Sequence, residues 1–403
     1  MHDSYGESYN KQKIITDNFV KVVALLNFVP MNSPIMEHSE VFLRTLGNAS
    51  DVVMKEMYSL FDKNNESLTL RPEGTAGVAR ALISNGLSQN LPQKYYYFGP
   101  MFRYERPQKG RLRQFHQVGV ELFGKGSFYE DFEIIRSAYY FLEKLKIQNS
   151  IFLKINTIGN PSSRINFVEK LKKYFEDNIQ KLSSDSLNRL KRNPLRILDS
   201  KDPKDQELLV NAPIIYDFLS SSELANFESL KKLLNHAKIQ FKVDPCLVRG
   251  LDYYSNTTFE FTLKKNEKFA VLAGGRYDNL VKDLGGDNIS GIGWAAGIER
   301  LSNLISYNKN INPPVLLIAT DKVYFKYILE LSNFLYINGI KNQIIDNFNI
   351  KKSLKYANKI MAKIAIIIGE SEVDRSLVSL KNLKSGEQLY VNKKDLINKI
   401  KNE

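Results

Sequence analysis

Cysteine is almost missing from this chain of 403 residues: Cys246 is the only one. No internal disulfide can form, and a reducing compartment is the natural setting. Histidine is scarce too, and His2, His38, His116 and His236 show no ligand spacing with that cysteine, which argues against a zinc cage. Apolar runs such as "VVALLNFV" at 22–29 fall far short of the ~20 residues needed to span a bilayer. The opening "MHDSYGESYNKQK" is polar and lacks the basic-then-apolar pattern of a signal peptide. A cytoplasmic protein without a membrane partner is the expectation.

Positive charge, by contrast, is plentiful. Lys and Arg number 57 against 44 acids, a net charge of +13, which favours polyanionic partners, nucleic acid first and nucleotides second. With 43% hydrophobic and 25% charged residues the chain is globular rather than disordered, and its length allows two or three domains. The charge is unevenly spread. Arg103, Arg106, Lys109, Arg111 and Arg113 fall within eleven positions, offset by Glu105.

Along the chain, 12–28 is predicted helical, with a second helical piece at 37–46. "SLTLRPEGTAGVARALIS" at 67–84 reads as strand, turn and helix, with Pro72 and Gly74 in the turn and Thr75 capping the helix. Residues 94–104 and 114–124 are predicted to form an antiparallel hairpin around the basic loop. Helix 130–146 and strand 151–158 follow. A helical insertion is expected over about 161–240, then strands at 246–263, 268–274 and 289–296, and a helix at 298–307. "NKNINPP" at 308–314 is a linker by composition. Beyond it strands alternate with helices, as in a small α/β domain with a partly parallel sheet. Residues 315–403 hold 15 Lys and Arg against 9 acids.

Two phosphate-loop patterns fail on context. "GVELFGKG" at 119–126 alternates like a strand and has Gly126 where a metal-binding hydroxyl should stand. "GIGWAA" at 291–296 lacks a preceding apolar strand and a following acid at the dinucleotide spacing. The hairpin is more informative. On 114–124 one face carries His116, Val118, Val120 and Leu122, and the other carries Phe115, Gln117, Gly119, Glu121 and Phe123. The first is core. The second places Gln117 and Glu121 on either side of a glycine, an open notch with polar walls.

Five stretches in order, "LTLRPEGTAGVAR", "FRYERPQKGRLRQFHQVGVELFG", "LVRGLDYYSNTTFEF", "AGGRYDNL" and "GIGWAAGIERL", together resemble the histidyl-tRNA synthetase family. "SLKYANKIMAKIAIIIGESE" and "LKSGEQ" resemble its anticodon-binding domain. The resemblance implies an α+β catalytic domain of class II type, built on an antiparallel sheet flanked by helices, over 1–312. A C-terminal α/β anticodon-binding domain would occupy 313–403. The implied activity joins L-histidine to ATP and then transfers it to tRNA(His), with Mg2+ accompanying the nucleotide and a homodimer suggested by "NSPIMEHSE".

By the same resemblance, Arg103 and Arg249 are catalytic and hold the α-phosphate from opposite sides. Arg300 reaches the γ-phosphate, Glu105 helps to place the adenine, and Arg111 and Arg113 also face ATP. Glu73, Gly74 and Thr75 meet the α-ammonium group of histidine. Gln117, Glu121, Tyr253, Tyr254 and Tyr277 surround the rest of it, since a carboxylate plus a phenol can read both imidazole nitrogens. Gln108 and Arg113 are candidates for the tRNA acceptor end. Relatives carry Arg-Gly before the His-Asp that here follows Met1, which leaves residues 1–10 without an assigned role. The alternative is an inactive paralogue, the regulatory subunit of ATP phosphoribosyltransferase, which generally lacks the full histidine signature and the terminal domain.

Overall fold

Apolar residues at helical spacing, Ile15, Phe19, Val22 and Val23, give the first helix, α1 (Gly6–Leu25), its buried face. The computed structural model describes residues 3–47, 50, 52–106, 110–307 and 313–402. The chain divides into two units, 1–307 and 308–403. After α1 come β1 (Val29–Pro30), β2 (Met36–His38), α2 (Ser39–Leu46), β3 (Tyr58–Phe61) and β4 (Ser67–Leu70). Strands β2, β4 and β3 form a small antiparallel sheet of their own.

The expected hairpin is present. After α3 (Thr75–Ser84), strands β5 (Gln93–Phe102) and β6 (Gln114–Gly124) pair antiparallel over their length. Then follow α4 (Phe128–Lys144) and β7 (Ile151–Thr157). Residues 161–236 contain α5 (Pro161–Asp177), α6 (Ser184–Arg192), α7 (Pro203–Leu209) and α8 (Ser221–His236). The first unit ends with β8 (Phe241–Val243), β9 (Ser255–Leu263), β10 (Asn266–Arg276), α9 (Leu280–Asp283), β11 (Ser290–Gly297) and α10 (Ile298–Ser302).

One eight-stranded sheet runs β1-β5-β6-β11-β10-β9-β7-β8, antiparallel except for a parallel pair at each end. Its two faces divide as the alternation on 114–124 requires. Val118, Val120, Leu122, Ile292, Trp294 and Leu272 pack against α1, α4 and α8. Trp294 stacks on Phe141, and its indole N–H donates to Ser137 at 2.9 Å. The other face is covered in part by α2, α3 and α9, through residues such as Phe42, Val78 and Leu280.

Four local expectations fail, each for a visible reason. Segment 246–254 is not a strand; Pro245 and Gly250 interrupt it, and regular pairing resumes only at Ser255. Thr75 does not cap α3. Both Glu73 oxygens accept the exposed N–H groups, from Thr75 at 2.7 Å and Ala76 at 2.8 Å, which frees the Thr75 hydroxyl to donate elsewhere. The helix at 298–307 is only the five residues of α10. The insertion is not wholly separate either. It has a core of its own around Phe167, Leu171, Phe175 and Ile197, but Phe227, Leu230 and Leu234 of α8 belong to the main core.

The second unit has a five-stranded sheet, β13-β12-β14-β15-β16. Its strands are β12 (Val315–Ala319), β13 (Asn342–Ile345), β14 (Ile364–Ile368), β15 (Val378–Asn382) and β16 (Gln388–Val391). The β13-β12-β14 part is parallel and the rest antiparallel. Strands β12 and β14 are buried throughout, as unbroken apolar runs covered on both faces should be. Helices α11 (Phe325–Ile337), α12 (Ile350–Lys359), α13 (Glu370–Asp374) and α14 (Leu396–Asn402) complete the unit.

Candidate active site

On the half-covered face of the large sheet, small side chains line up across neighbouring strands. Gly119 of β6 lies opposite Ala295 of β11, which lies opposite Ala273 of β10; Glu121, Gly293 and Gly275 form the next row. With so little side chain above the backbone, this floor sits under a cavity of about 250 Å³. The "GIGWAAG" stretch is thus neither a dinucleotide loop nor a turn. It is a strand whose one face must stay low, and its large residues, Ile292 and Trp294, point to the core.

Behind two of the residues that line this cavity, Thr75 and Tyr277, lies a buried acid. Glu121 accepts a hydrogen bond from Thr75 Oγ1 at 2.7 Å and another from the Tyr277 hydroxyl. Gly293 stands where any β-carbon would overlap that carboxylate. Burial pushes the Glu121 carboxyl up to about 8, against the pull of those two donors; nearby Glu73 adds to the rise. Burial also raises the Glu73 carboxyl, opposed by its two backbone bonds. Tyr253 and Tyr254 pack on each other at 4.6 Å, and Tyr253 meets the Tyr277 ring edge-on at 5.7 Å.

The notch expected beside Glu121 is not open. The Tyr97 ring, from the strand paired with β6, fills the space above Gly119, and its other side abuts Gly74. A β-carbon at either glycine would overlap that ring. Gly74 therefore accommodates Tyr97 and does not line the cavity. Tyr97 is the residue that sequence reasoning missed; the only available signal was a tyrosine two residues before Gly99 on the partner strand.

Cations gather in the cavity as well. Arg103, Arg111, Arg249 and Arg300 all line the same cavity as Glu73, Thr75, Gln117, Tyr253, Tyr254 and Tyr277. Arg103 is held by Pro72 O at 2.8 Å and lies over Phe115 at 5.5 Å. Arg300 donates to Gly110 O at 3.1 Å and Ala270 O at 3.0 Å. Burial and repulsion from Arg111, Arg103 and Arg249 hold the Arg300 guanidinium below its ordinary value, and Glu105 offsets this only in part. Arg249 sits 3.4 Å from Glu260. Its burial lowers the pKa, but Tyr254 and Glu260 outweigh that and leave it raised. Such a crowd of partly desolvated cations is stable only where an anion is meant to arrive.

Several buried polar atoms around the cavity have no hydrogen-bond partner: Gln117 Oε1, Arg249 Nε and Glu105 Oε2, the last 3.5 Å from Arg111 Nε. Buried groups left so are uncommon in native proteins, and here they are available to a polar ligand. Arg113 Nε also has no partner, but Arg113 does not line the cavity; its guanidinium lies over Tyr104 at 4.3 Å, a correction to its expected place beside the nucleotide. Gln108 and Lys109 lie outside the described residues. His116 is structural, its Nδ1 2.9 Å from Glu299, which also accepts the His116 backbone N–H.

Residues 1–301 match the family model described as histidyl-tRNA synthetase, and 314–403 match the anticodon binding domain. This chain belongs to the histidyl-tRNA synthetase family. The histidine–tRNA ligase of Gluconacetobacter diazotrophicus is 45% identical over 96% of this chain and 94% of its own. The apo histidyl-tRNA synthetase of S. aureus superposes with a TM-score of 0.81 at 31% identity, covering 99% of this chain and 97% of that one. A Bacillus halodurans chain described as an ATP phosphoribosyltransferase regulatory subunit/histidyl-tRNA synthetase gives a TM-score of 0.64 at 22% identity, over 89% of this chain and 94% of its own. That last likeness is one of fold alone.

Proposed function

We propose that this chain is a histidine–tRNA ligase whose ATP and histidine sites are the two ends of the cavity above β6, β11 and β10. The observation that carries the reading is the joining of four arginines, in a single space, to Thr75 and Tyr277, the two residues that hydrogen-bond Glu121 behind them. In the first step a carboxylate oxygen of histidine attacks the α-phosphorus of ATP. A P–O bond forms, the α–β bridging bond breaks, and pyrophosphate leaves. In the second, the 3′-hydroxyl of the terminal adenosine of tRNA attacks the acyl carbon and AMP leaves.

The attacking carboxylate has an unperturbed pKa of about 3.3–3.7 and is already ionised at neutral pH. No general base is needed, so positioning and charge stabilisation are the protein's main tasks. Arg103 and Arg249 flank the α-phosphate, and Arg300 takes the γ-phosphate. Arginine suits this because it stays protonated and offers a planar fork to phosphate oxygens. Glu105 places the adenine, with Arg111 beside it. At the other end Glu73 and Thr75 hold the α-ammonium group, while Gln117, Glu121 and the three tyrosines enclose the imidazole. A site that hydrogen-bonds both ring nitrogens rejects apolar isosteres, because its own buried groups would be left unpaired.

Mg2+ would enter with ATP. The residues present fit an ion carried mainly by phosphates: Glu105 Oε2 has no hydrogen-bond partner, only the ion-pair contact with Arg111, and no group of three metal-ligating side chains occurs among the described residues. When bound, the ion would neutralise phosphate charge as pyrophosphate departs. The loop bearing Arg111 and Arg113 would face the tRNA acceptor end. Family membership supports a homodimer and a cytoplasmic setting. No helix among the described residues is long and apolar enough to cross a membrane.

The regulatory-subunit alternative is not favoured, since the chain matches family models over both its catalytic and anticodon-binding regions. The deciding experiment is ATP–pyrophosphate exchange with each of the twenty amino acids. Exchange with histidine alone is expected; exchange with none, or with a different amino acid, overturns the proposal.

A further inference from the structure

Segment 245–254 presents Arg249, Tyr253 and Tyr254 to the cavity yet has no regular structure of its own. Its backbone carbonyls are therefore not fixed by a ladder, and other groups must meet them. From the insertion, Arg164 of α5 donates to Tyr254 O at 2.6 Å, and Arg196 donates to Arg249 O at 3.3 Å. Asn193 donates to the Asp252 carboxylate at 3.2 Å. At the start of the segment, Asn156 of β7 donates to Pro245 O at 3.2 Å and Leu247 O at 3.1 Å, and it accepts from Tyr216 of the insertion at 2.8 Å.

Packing holds one side of the segment, where Leu247, Tyr253 and Tyr254 are buried, but not its back. Behind the segment, between it, α5 and residues 193–196, lies a second cavity of about 330 Å³, lined among others by Arg164, Arg196, Asp252 and Tyr254. A peptide with empty space at its back can shift unless directional bonds pin it. Asp252 keeps the two guanidinium groups close: burial raises its carboxyl, and the charges of Arg196 and Arg164 oppose that rise.

We infer that the insertion acts in histidine activation through Arg164 and Arg196, positioning residues that fix where Tyr254 and Arg249 stand. This rests on the proposed function and deepens it, giving the 161–240 region a task in the first reaction. The two donors act on different substrates. Arg196 holds the carbonyl of the residue placed at the α-phosphate, so its loss acts on turnover. Arg164 holds the carbonyl of a residue enclosing histidine, so its loss acts on amino-acid affinity. An ångström of misplacement in such a site costs up to ~10²-fold.

The test is histidine-dependent ATP–pyrophosphate exchange with the full-length protein carrying Arg164→Met, Arg196→Met and the corresponding Lys substitutions, with thermal midpoints alongside. Arg196→Met is expected to lower kcat about tenfold with little change in the KM for histidine. Arg164→Met is expected to raise that KM about tenfold with a smaller effect on kcat. Lysine, which keeps one charged donor, should recover part of each loss. Wild-type kcat and KM in both Met variants would overturn the inference. So would equal changes in both constants that follow the thermal midpoint and that lysine does not recover. A wild-type protein without histidine-dependent exchange would instead overturn the proposed function.

Discussion

The Tyr277 hydroxyl donates to Glu121, and both side chains are buried against a strand from which all competing side chains have been removed. Gly291 and Gly293, two residues apart on β11, leave room for the Tyr277 ring and the Glu121 carboxylate respectively. The pair is thus built by four residues from two strands, β6 and β11, and the turn after β10. An acid so enclosed is kept in place by its donors and is held close to neutrality by its burial.

Tyr277→Phe removes one of those two donors and leaves a buried carboxyl oxygen unpaired, at a cost of about 1–3 kcal/mol. The Glu121 carboxyl should rise further, since the Tyr277 bond is what lowers it most. A higher KM for histidine in pyrophosphate exchange and a lower denaturation midpoint are expected. An unchanged KM would show that the pair does not face the amino acid.

Glu121 also makes stability depend on pH in a defined direction. Its folded carboxyl lies near 8, against an ordinary value of 4.5. Between those values the folded protein keeps a proton that the unfolded chain releases, so this contribution is complete below about 4.5 and is lost as pH rises through about 8. Glu121→Gln has nothing to titrate there. The thermal midpoint of the wild type should therefore fall more between pH 5 and pH 8 than that of the variant, measured without ligands; parallel curves would show an ordinary carboxylate.

Arg249→Ala removes a cavity arginine that rests on a carboxylate, Glu260, 3.4 Å away. Loss of a single donor to a developing anion typically costs 10²–10³ in rate, and a fall of about that size in histidine-dependent exchange is expected. Histidine binding measured by calorimetry should change far less. Normal exchange would remove Arg249 from the reaction.

Much of this site could be read from the residues alone, and the failures are instructive. Period-two alternation put Val118, Val120 and Leu122 on the core face and Gln117 and Glu121 on the other, because a strand's faces follow from its own sequence; of the latter pair Gln117 lines the cavity, while Glu121 lies behind Thr75 and Tyr277, which do. What fills the space over Gly119 could not be read that way, since it depends on the register with Tyr97 on another strand. Thr75 looked like a cap because a hydroxyl before a helix usually is one. A carboxylate two residues earlier took the N–H groups instead, and the hydroxyl turned to Glu121.

Gly119→Ala tests that register. Its methyl group would overlap the Tyr97 ring, which is wedged against Gly74 on its far side. Overpacking of this kind costs about 1–3 kcal/mol, and part of it should appear as weaker histidine binding because the ring borders Thr75 and Glu121. A denaturation curve and histidine titration matching wild type would mean that the ring is free to move aside.

Removal of 313–403 should separate the two reactions. Every residue lining the active-site cavity lies between Glu73 and Arg300, so the truncated protein keeps the whole of it. The second unit has its own apolar cores, around Leu317, Ile366 and Leu380 and around Leu316 and Ile367. From 315 onward the chain carries 15 basic against 9 acidic residues, a surplus suited to nucleic acid. Pyrophosphate exchange should persist at a substantial fraction of wild type, while aminoacylation of tRNA should be lost. In the intact protein, the KM for tRNA should rise steeply with salt. Equal charging by the truncated and full-length proteins would show that the second unit does not read the tRNA.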